Sequence, residues 1–372
     1  MKKLFIAIAT LAAFTACSKM DVQFEQPEEI AISAVSMNRT KAMVSGTTFP
    51  QENFAVWAFY KQMDKGSTIA AWQASSLAQQ TYINEKQFAP RTGDAAGLWG
   101  GFNTTYFWPK AGSLMFVGYY PVSIDNPTET NPDGAVTYEF TSSVNKMTVS
   151  GYSPGDYQTT GFVNTAAGAN HVEDFMYFNM TSTSCDASTT GPANSVTSGY
   201  HVDVVFKHAL SWLTVILKKD SSTPEGATIT VKKVYFTEVN TTGTGTVNNS
   251  PEGEEKNDIS WETTSAETDV YVLGSSTEDN TTELTTDYTC NQPVIIPQTM
   301  DGNIVVTYEI KSSDGSAFTE TVTLPLSGLT TGVTGWDPAK HYTYTVTIGT
   351  SEILIDPIID DWADVTTTID AK

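Results

Sequence analysis

Gly151-Tyr152-Ser153-Pro154-Gly155 has the spacing of a nucleophile elbow, in which a serine sits on a sharp turn and the next residue's N–H helps to hold an oxyanion. Pro154 has no N–H to offer, so the segment reads as a Pro-Gly turn and not as an acyl-transfer site. The four histidines, His171, His201, His208 and His341, include no pair at the i, i+4 spacing of a helical zinc site, and none lies beside a cysteine. His208, between Phe206 and Leu210, reads as a strand or strand-end residue. Asp356, Asp360, Asp361 and Asp364 form one acidic group and Glu252, Glu254, Glu255 and Asp258 another; without the tight glycine turn of a calcium loop, both read as solvated loops. Carboxylate pairs for glycoside hydrolysis arise by chance among 42 acidic residues, and no pair stands out. With no phosphate-binding glycine loop or dinucleotide fingerprint either, the expectation is no enzyme, no cofactor and no metal.

The chemistry that is left is covalent processing. Lys2 and Lys3 precede an apolar run from Leu4 to Phe14 that is too short to span a bilayer, which is the pattern of an export signal over residues 1–16. Phe14-Thr15-Ala16-Cys17 resembles a bacterial lipobox, whose cysteine is lipidated and becomes the first mature residue. Several acyl chains on Cys17 would hold the chain at a membrane more firmly than one. Of the other cysteines, Cys185 and Cys290 either pair in an oxidising compartment or stay as buried thiols; two are too few for a disulfide scaffold.

Forty-two acidic against 20 basic residues give a net charge of −22, which repels phosphate backbones and excludes nucleic acid as an expected partner. About 350 residues beyond the signal suffice for roughly two domains.

The elements are short strands. Phe54 to Tyr60 and Leu114 to Tyr120 are apolar runs, and Tyr342, Tyr344, Val346 and Ile348 alternate with threonines, which puts one row on a core. Ile304 to Ile310 and Phe318 to Leu326 flank Lys311-Ser312-Ser313-Asp314-Gly315-Ser316, whose Asp-Gly predicts a hairpin. The best helical candidate is Ala70 to Tyr82. A polar stretch from Ser182 to Gly199 places a boundary near residue 200. Of the eight tryptophans, Trp57, Trp108 and Trp212 lie in apolar runs and read as core. Trp72, Trp99, Trp261 and Trp336 have polar or glycine-rich neighbours and read as surface residues. The architecture is all-β, with two β-sandwiches in tandem.

Several segments together resemble the fimbrillin family, the pilus subunits and related surface proteins that certain Gram-negative bacteria export as lipoproteins. They are the lipobox leader, Lys41-Ala42-Met43 to Thr48-Phe49-Pro50, Tyr106-Phe107-Trp108-Pro109 and Asp174-Phe175-Met176-Tyr177. Phe206-Lys207-His208-Ala209-Leu210, Trp336-Asp337-Pro338-Ala339-Lys340-His341-Tyr342-Thr343-Tyr344 and Ile353 to Trp362 complete the set. The resemblance implies two transthyretin-like β-sandwich domains and polymerisation by strand exchange. On that reading residues 1–16 are the signal, 17–39 a leader with a removable strand, 40–200 an N-terminal sandwich and 201–372 a C-terminal sandwich.

A leader strand that is cut away leaves an open edge and an apolar groove for another subunit's strand. Glu29 to Met37 fits such a leader, with Ile30, Ile32 and Ala34 on one face, and Arg39 follows it. The chain's only arginines are Arg39 and Arg91, so an arginine-specific cut between Arg39 and Thr40 would be selective, with Arg91 as a second nominal site. The candidate donor is the C-terminal tail: Ile353 and Ile355 on one face, Leu354 on the other, then Ile358, Val365 and Ile369; pairing of these residues within their own domain is the alternative. The implied partners are other fimbrial subunits, in a homo- or hetero-polymer, the outer membrane through the lipid on Cys17, and a receptor on a host or bacterial surface. The location is the cell outer membrane, then the fimbrium after processing. The alternative function is a monomeric outer-membrane-anchored glycan-binding lipoprotein, which an exposed aromatic row on one sheet would favour.

Overall fold

The computed structural model of the chain describes residues 29–36, 49, 51–63, 69–93, 97–109, 112–122, 136–140, 145–154, 174–179, 201–248, 259–264, 266–281, 283–329, 333–349 and 353–361. The first half contributes β1 (Ala31–Ser36), β2 (Phe54–Lys61), α1 (Ile69–Ala74), β3 (Gln80–Pro90), β4 (Trp99–Gly101), β5 (Ser113–Tyr120), β6 (Val136–Phe140), β7 (Asn145–Tyr152) and β8 (Met176–Asn179). β9 (His201–His208), β10 (Ser211–Lys219), β11 (Thr228–Asn240), β12 (Gly243–Asn248), β13 (Ile259–Thr263) and β14 (Glu267–Leu273) follow. Three short strands, β15 (Tyr288–Thr289), β16 (Val294–Ile295) and β17 (Gln298–Thr299), lead to β18 (Asn303–Lys311), β19 (Ala317–Pro325), β20 (Gly335–Trp336), β21 (Lys340–Ile348) and β22 (Ile353–Asp361). The protein is all-β, and α1 is the one α-helix among the described residues.

β1, β4, β3, β2, β5, β8 and β9 are hydrogen-bonded in that order and close on themselves. β2 and β5 are apolar almost throughout because both their faces are covered. Phe54 faces the interior against Phe88 and Phe206, while Trp57 and Phe59 stack outside the ring on Tyr138 of β6, at 5.7 and 5.0 Å. These residues belong to one continuous core.

A second core lies between the sheet β15-β10-β21-β22 and the sheet β14-β11-β18-β19. Phe236 of β11 reaches across it to Trp336 and Tyr344, at 5.9 and 5.6 Å between ring centroids. Tyr342, Tyr344, Val346 and Ile348 form the buried row that their alternation requires. β18 and β19 form the hairpin, with Gly315 at φ 87°.

The two cores are stitched together. β12, from the second half, pairs with β7, from the first, in the sheet β13-β12-β7-β6. Trp261 of β13 packs on Tyr152 and Phe175 and donates its indole N–H to the carbonyl of Ala209 at 2.8 Å. β9, which a boundary at residue 200 assigns to the second half, is paired into the first ring through β1 and β8. The chain crosses between cores within β10, where Trp212 packs in the first core and Leu213 in the second.

Two expectations are corrected. The helix expected over Ala70 to Tyr82 is confined to Ile69–Ala74, and Gln80 already belongs to β3. Lys61 Nζ donates to the carbonyls of Trp72 and Ser75, at 2.7 and 3.0 Å, which caps the last turn, and pairing of β3 with β2 takes the rest. Trp72, Trp99 and Trp336 are buried, not surface residues, and Trp261 is partly buried. The indoles of Trp99 and Trp336 find internal acceptors, the carbonyl of Glu52 and the hydroxyl of Tyr344, each at 3.0 Å. That removes the penalty that would otherwise keep them outside.

Candidate functional site

The feature that sets β1 apart is its place in the ring. On one side it runs parallel to β9 over six residue pairs, from Ala31 opposite His201 to Ser36 opposite Phe206. On the other side a single pair, Ile32 opposite Trp99, joins it to β4. β1 is the stave that closes the ring, and its seam with β4 is short. Ile30 and Ile32 are fully buried and Ala34 nearly so; all three point into the first core. Below them Phe49 stacks on Phe206 at 4.2 Å and meets Phe54 and Trp99 edge-on, both at 5.6 Å. Withdrawing two isoleucines and an alanine from that core would cost on the order of 5 kcal/mol in apolar transfer alone. It would also leave the inner edge of β9 without a partner.

The start of the strand is held by its own contacts. Ile30 N–H donates to the carbonyl of Tyr106 at 2.8 Å, Glu29 forms an antiparallel bridge with Phe107, and Arg91 pairs with the Glu29 carboxylate. Arg91 therefore serves as a clasp at the mouth of the slot, although it reads from the sequence as a loop residue open to a protease. Its rarity as one of two arginines, and the Gly100-Gly101 pair beyond it, were the available signals.

β22 closes the second half on its own edge. It pairs with β21 over nine residues, Ile353 opposite Ile348 through Asp361 opposite Lys340. Ile353, Ile355 and Ile359 pack on the second core, whereas Leu354 and Ile358 are about half exposed, at 55% and 50%. Asp356, Asp360 and Asp361 share the exposed surface of this edge strand, where charge discourages unplanned pairing. Cys17, Cys185, Arg39, Thr40, Met37, His171, Val365 and Ile369, with the signal and both ends of the polar boundary stretch, lie outside the described residues.

Among the described residues, His208, His341 and Cys290 are held in structural surroundings. His208 Nδ1 lies 2.8 Å from Asp174 Oδ2 in a buried pair that ties β9 to the start of β8. His341 stacks on Trp212 at 3.7 Å between centroids, and burial pushes its pKa down to about 4. Cys290 is buried, and burial pushes its thiol well above the ordinary range, away from the reactive thiolate. Ser153 is exposed and followed by a buried Pro154. No group of three or more potential metal ligands occurs among the described residues.

A family model described as fimbrillin-like matches residues 40–362. No curated protein matches the sequence. Among solved structures, a fimbrial protein from Bacteroides vulgatus is similar at 15% identity and a TM-score of 0.52, over 90% of this chain and 99% of its own. A candidate cell adhesion protein from Bacteroides uniformis is similar at 16% identity and a TM-score of 0.49, over 90% and 98% of the two chains. The tip fimbrial protein Mfa3 from Porphyromonas gingivalis, truncated at its C-terminus, is similar at 10% identity and a TM-score of 0.37, over 91% and 100%. The first of these likenesses shows a shared fold.

Proposed function

The chain belongs to the fimbrillin-like family, and from that premise we propose that it is a structural subunit of a surface fimbria, exported as a lipoprotein on Cys17 and joined to its neighbours by strand exchange. In this reading a cut between Arg39 and Thr40 frees the leader, β1 leaves the ring, and a strand from the C-terminal tail of another subunit fills the slot. The residues that matter on the acceptor are those around Ile30, Ile32 and Ala34. Those on the donor lie among Ile353, Leu354, Ile355, Ile358, Val365 and Ile369. Its role is structural and adhesive, not catalytic.

The observation that carries the reading is the asymmetry of the two seams of β1 in the ring, six residue pairs with β9 on one side and a single pair with β4 on the other. The family match begins at residue 40, one residue after Arg39, and so leaves β1 outside it. The energetics suit exchange better than spontaneous loss: a strand worth several kcal/mol of burial leaves when another takes its place. The glycan-binding alternative has less to rest on, because Trp72, Trp99 and Trp336 are buried.

The test uses the chain from residue 18 onward, treated with an arginine-specific protease and run unboiled on a denaturing gel. The expected result is a new N-terminus at Thr40 together with a ladder of multimers. A product cut at Thr40 that stays monomeric would overturn strand exchange.

A further inference from the structure

Arg91 lies at the end of β3, its backbone N–H bonded to the carbonyl of Leu98 at 2.8 Å. Its side chain lies flat over β4 at Gly100, where an added Cβ would meet guanidinium atoms at 2.0 to 2.5 Å. The missing side chain at Gly100 thus makes room for a cation against the strand that flanks β1. Nη2 donates to Glu29 Oε1, whereas Nε is inaccessible to solvent and has no hydrogen-bond partner among the described residues. A guanidinium offers Nε–H and Nη–H as a fork that matches both oxygens of a carboxylate, and here half of the fork is used. Slot and strand together define a pattern: an acid at Arg91, then inward-facing residues one, three and five positions later, which are Ile30, Ile32 and Ala34.

The C-terminal tail repeats that order. Asp364 is followed by Val365, Thr367 and Ile369 at the same spacing. Glu352-Ile353-Leu354-Ile355 also begins in this way, but Ile353–Asp361 is paired throughout with β21, and its third inward position is Pro357, which has no N–H. Donation of Ile353–Asp361 would require all nine of its residue pairs with β21 to be broken.

We propose that Arg91 selects the incoming strand and sets its register, and that it does so by binding Asp364 of a second copy of this chain. The claim rests on the strand-exchange reading above. The donor enters in the direction of β1, parallel to β9, with Val365, Thr367 and Ile369 in the places of Ile30, Ile32 and Ala34. Alternation alone does not fix that register: a slip of one residue turns Val365 and Ile369 outward, but a slip of two restores their facing. A single cation at the mouth of the slot distinguishes the two, because only one register puts a carboxylate on the fork. In a chain of 42 acidic and 20 basic residues, a cation placed there also offsets the repulsion between copies.

The test is capture of a fluorescent peptide of residues 363–370 by the cleaved protein, measured by anisotropy. The expected result is binding that weakens about tenfold for the Asp364→Lys peptide, the size of a charge-assisted pair at a partly exposed site. Arg91→Glu protein should reverse the order and prefer the Asp364→Lys peptide. Equal binding of the two peptides to the wild-type protein would overturn the proposal, and that comparison needs no protein variant. So would an Arg91→Glu protein that keeps the wild-type preference, or stronger capture of a peptide of residues 352–359. Cleaved wild-type protein that captures none of the peptides would overturn strand exchange itself, and the role of Arg91 with it.

Discussion

His341 shows how burial alone turns a titratable residue into a structural one. Its ring is stacked on Trp212 and lies 2.8 Å from Thr214 Oγ1, and its pKa is pushed down from 6.5 to about 4 by desolvation. The folded chain holds the neutral ring while the unfolded chain binds a proton below pH 6.5, so stability falls as pH drops from about 6.5 to about 4 and is unaffected above that window. The full effect is on the order of 3 kcal/mol. Denaturant midpoints of the wild type should fall more steeply between pH 7 and pH 4.5 than those of His341→Gln; parallel curves would refute the assignment. The tryptophans teach a related lesson. Trp99 and Trp336 stand beside glycines, which read as surface in the sequence, yet each is buried because a distant carbonyl or hydroxyl receives its N–H. Local composition carries no trace of such long-range acceptors.

At the scale of elements, what was legible was periodicity. The alternating row of β21 and the Asp-Gly hairpin of β18 and β19 are local patterns, and the structure realises both. Gly315 sits at φ 87° with nothing within 4 Å of where a Cβ would stand, so Gly315→Ala should cost about 1 kcal/mol from backbone strain alone. A denaturant titration that finds no loss would mean that the turn has switched type. β3 was missed because Ala70 to Tyr82 carries residues compatible with a helix, and the competing claim on Gln80 onward comes from β2, a partner that only the folded chain supplies. β1 was legible as a strand with an inward row of Ile30, Ile32 and Ala34. Its closing position was not, since ring closure depends on β9 and β4, far away in sequence. Arg91 was missed for the same reason: its carboxylate partner, Glu29, comes from a different part of the chain.

For the whole molecule, the sheet of β6, β7, β12 and β13 packs on the first core but draws β12 and β13 from the second half of the chain, which ties the half that holds the β1 slot to the half that holds the β22 edge. On the proposed reading, one subunit would accept a strand in one half and offer one from the other. A net charge of −22 disfavours association through the general surface, so on the proposed reading contact between copies needs a shaped, apolar and chemically specific site. The central claim is that β1 must leave before subunits can join. Ser33 and Asp203 are paired in register across β1 and β9, at the spacing of about 5 Å between neighbouring strands, which a disulfide can span. The most direct measurement uses Ser33→Cys with Asp203→Cys, in the chain from residue 18 onward carrying Cys185→Ser, cleaved by an arginine-specific protease and followed on an unboiled gel with and without reductant. The account predicts cleaved monomer while the disulfide holds β1 in place, and a ladder once it is reduced; a ladder that forms with the disulfide intact would contradict it.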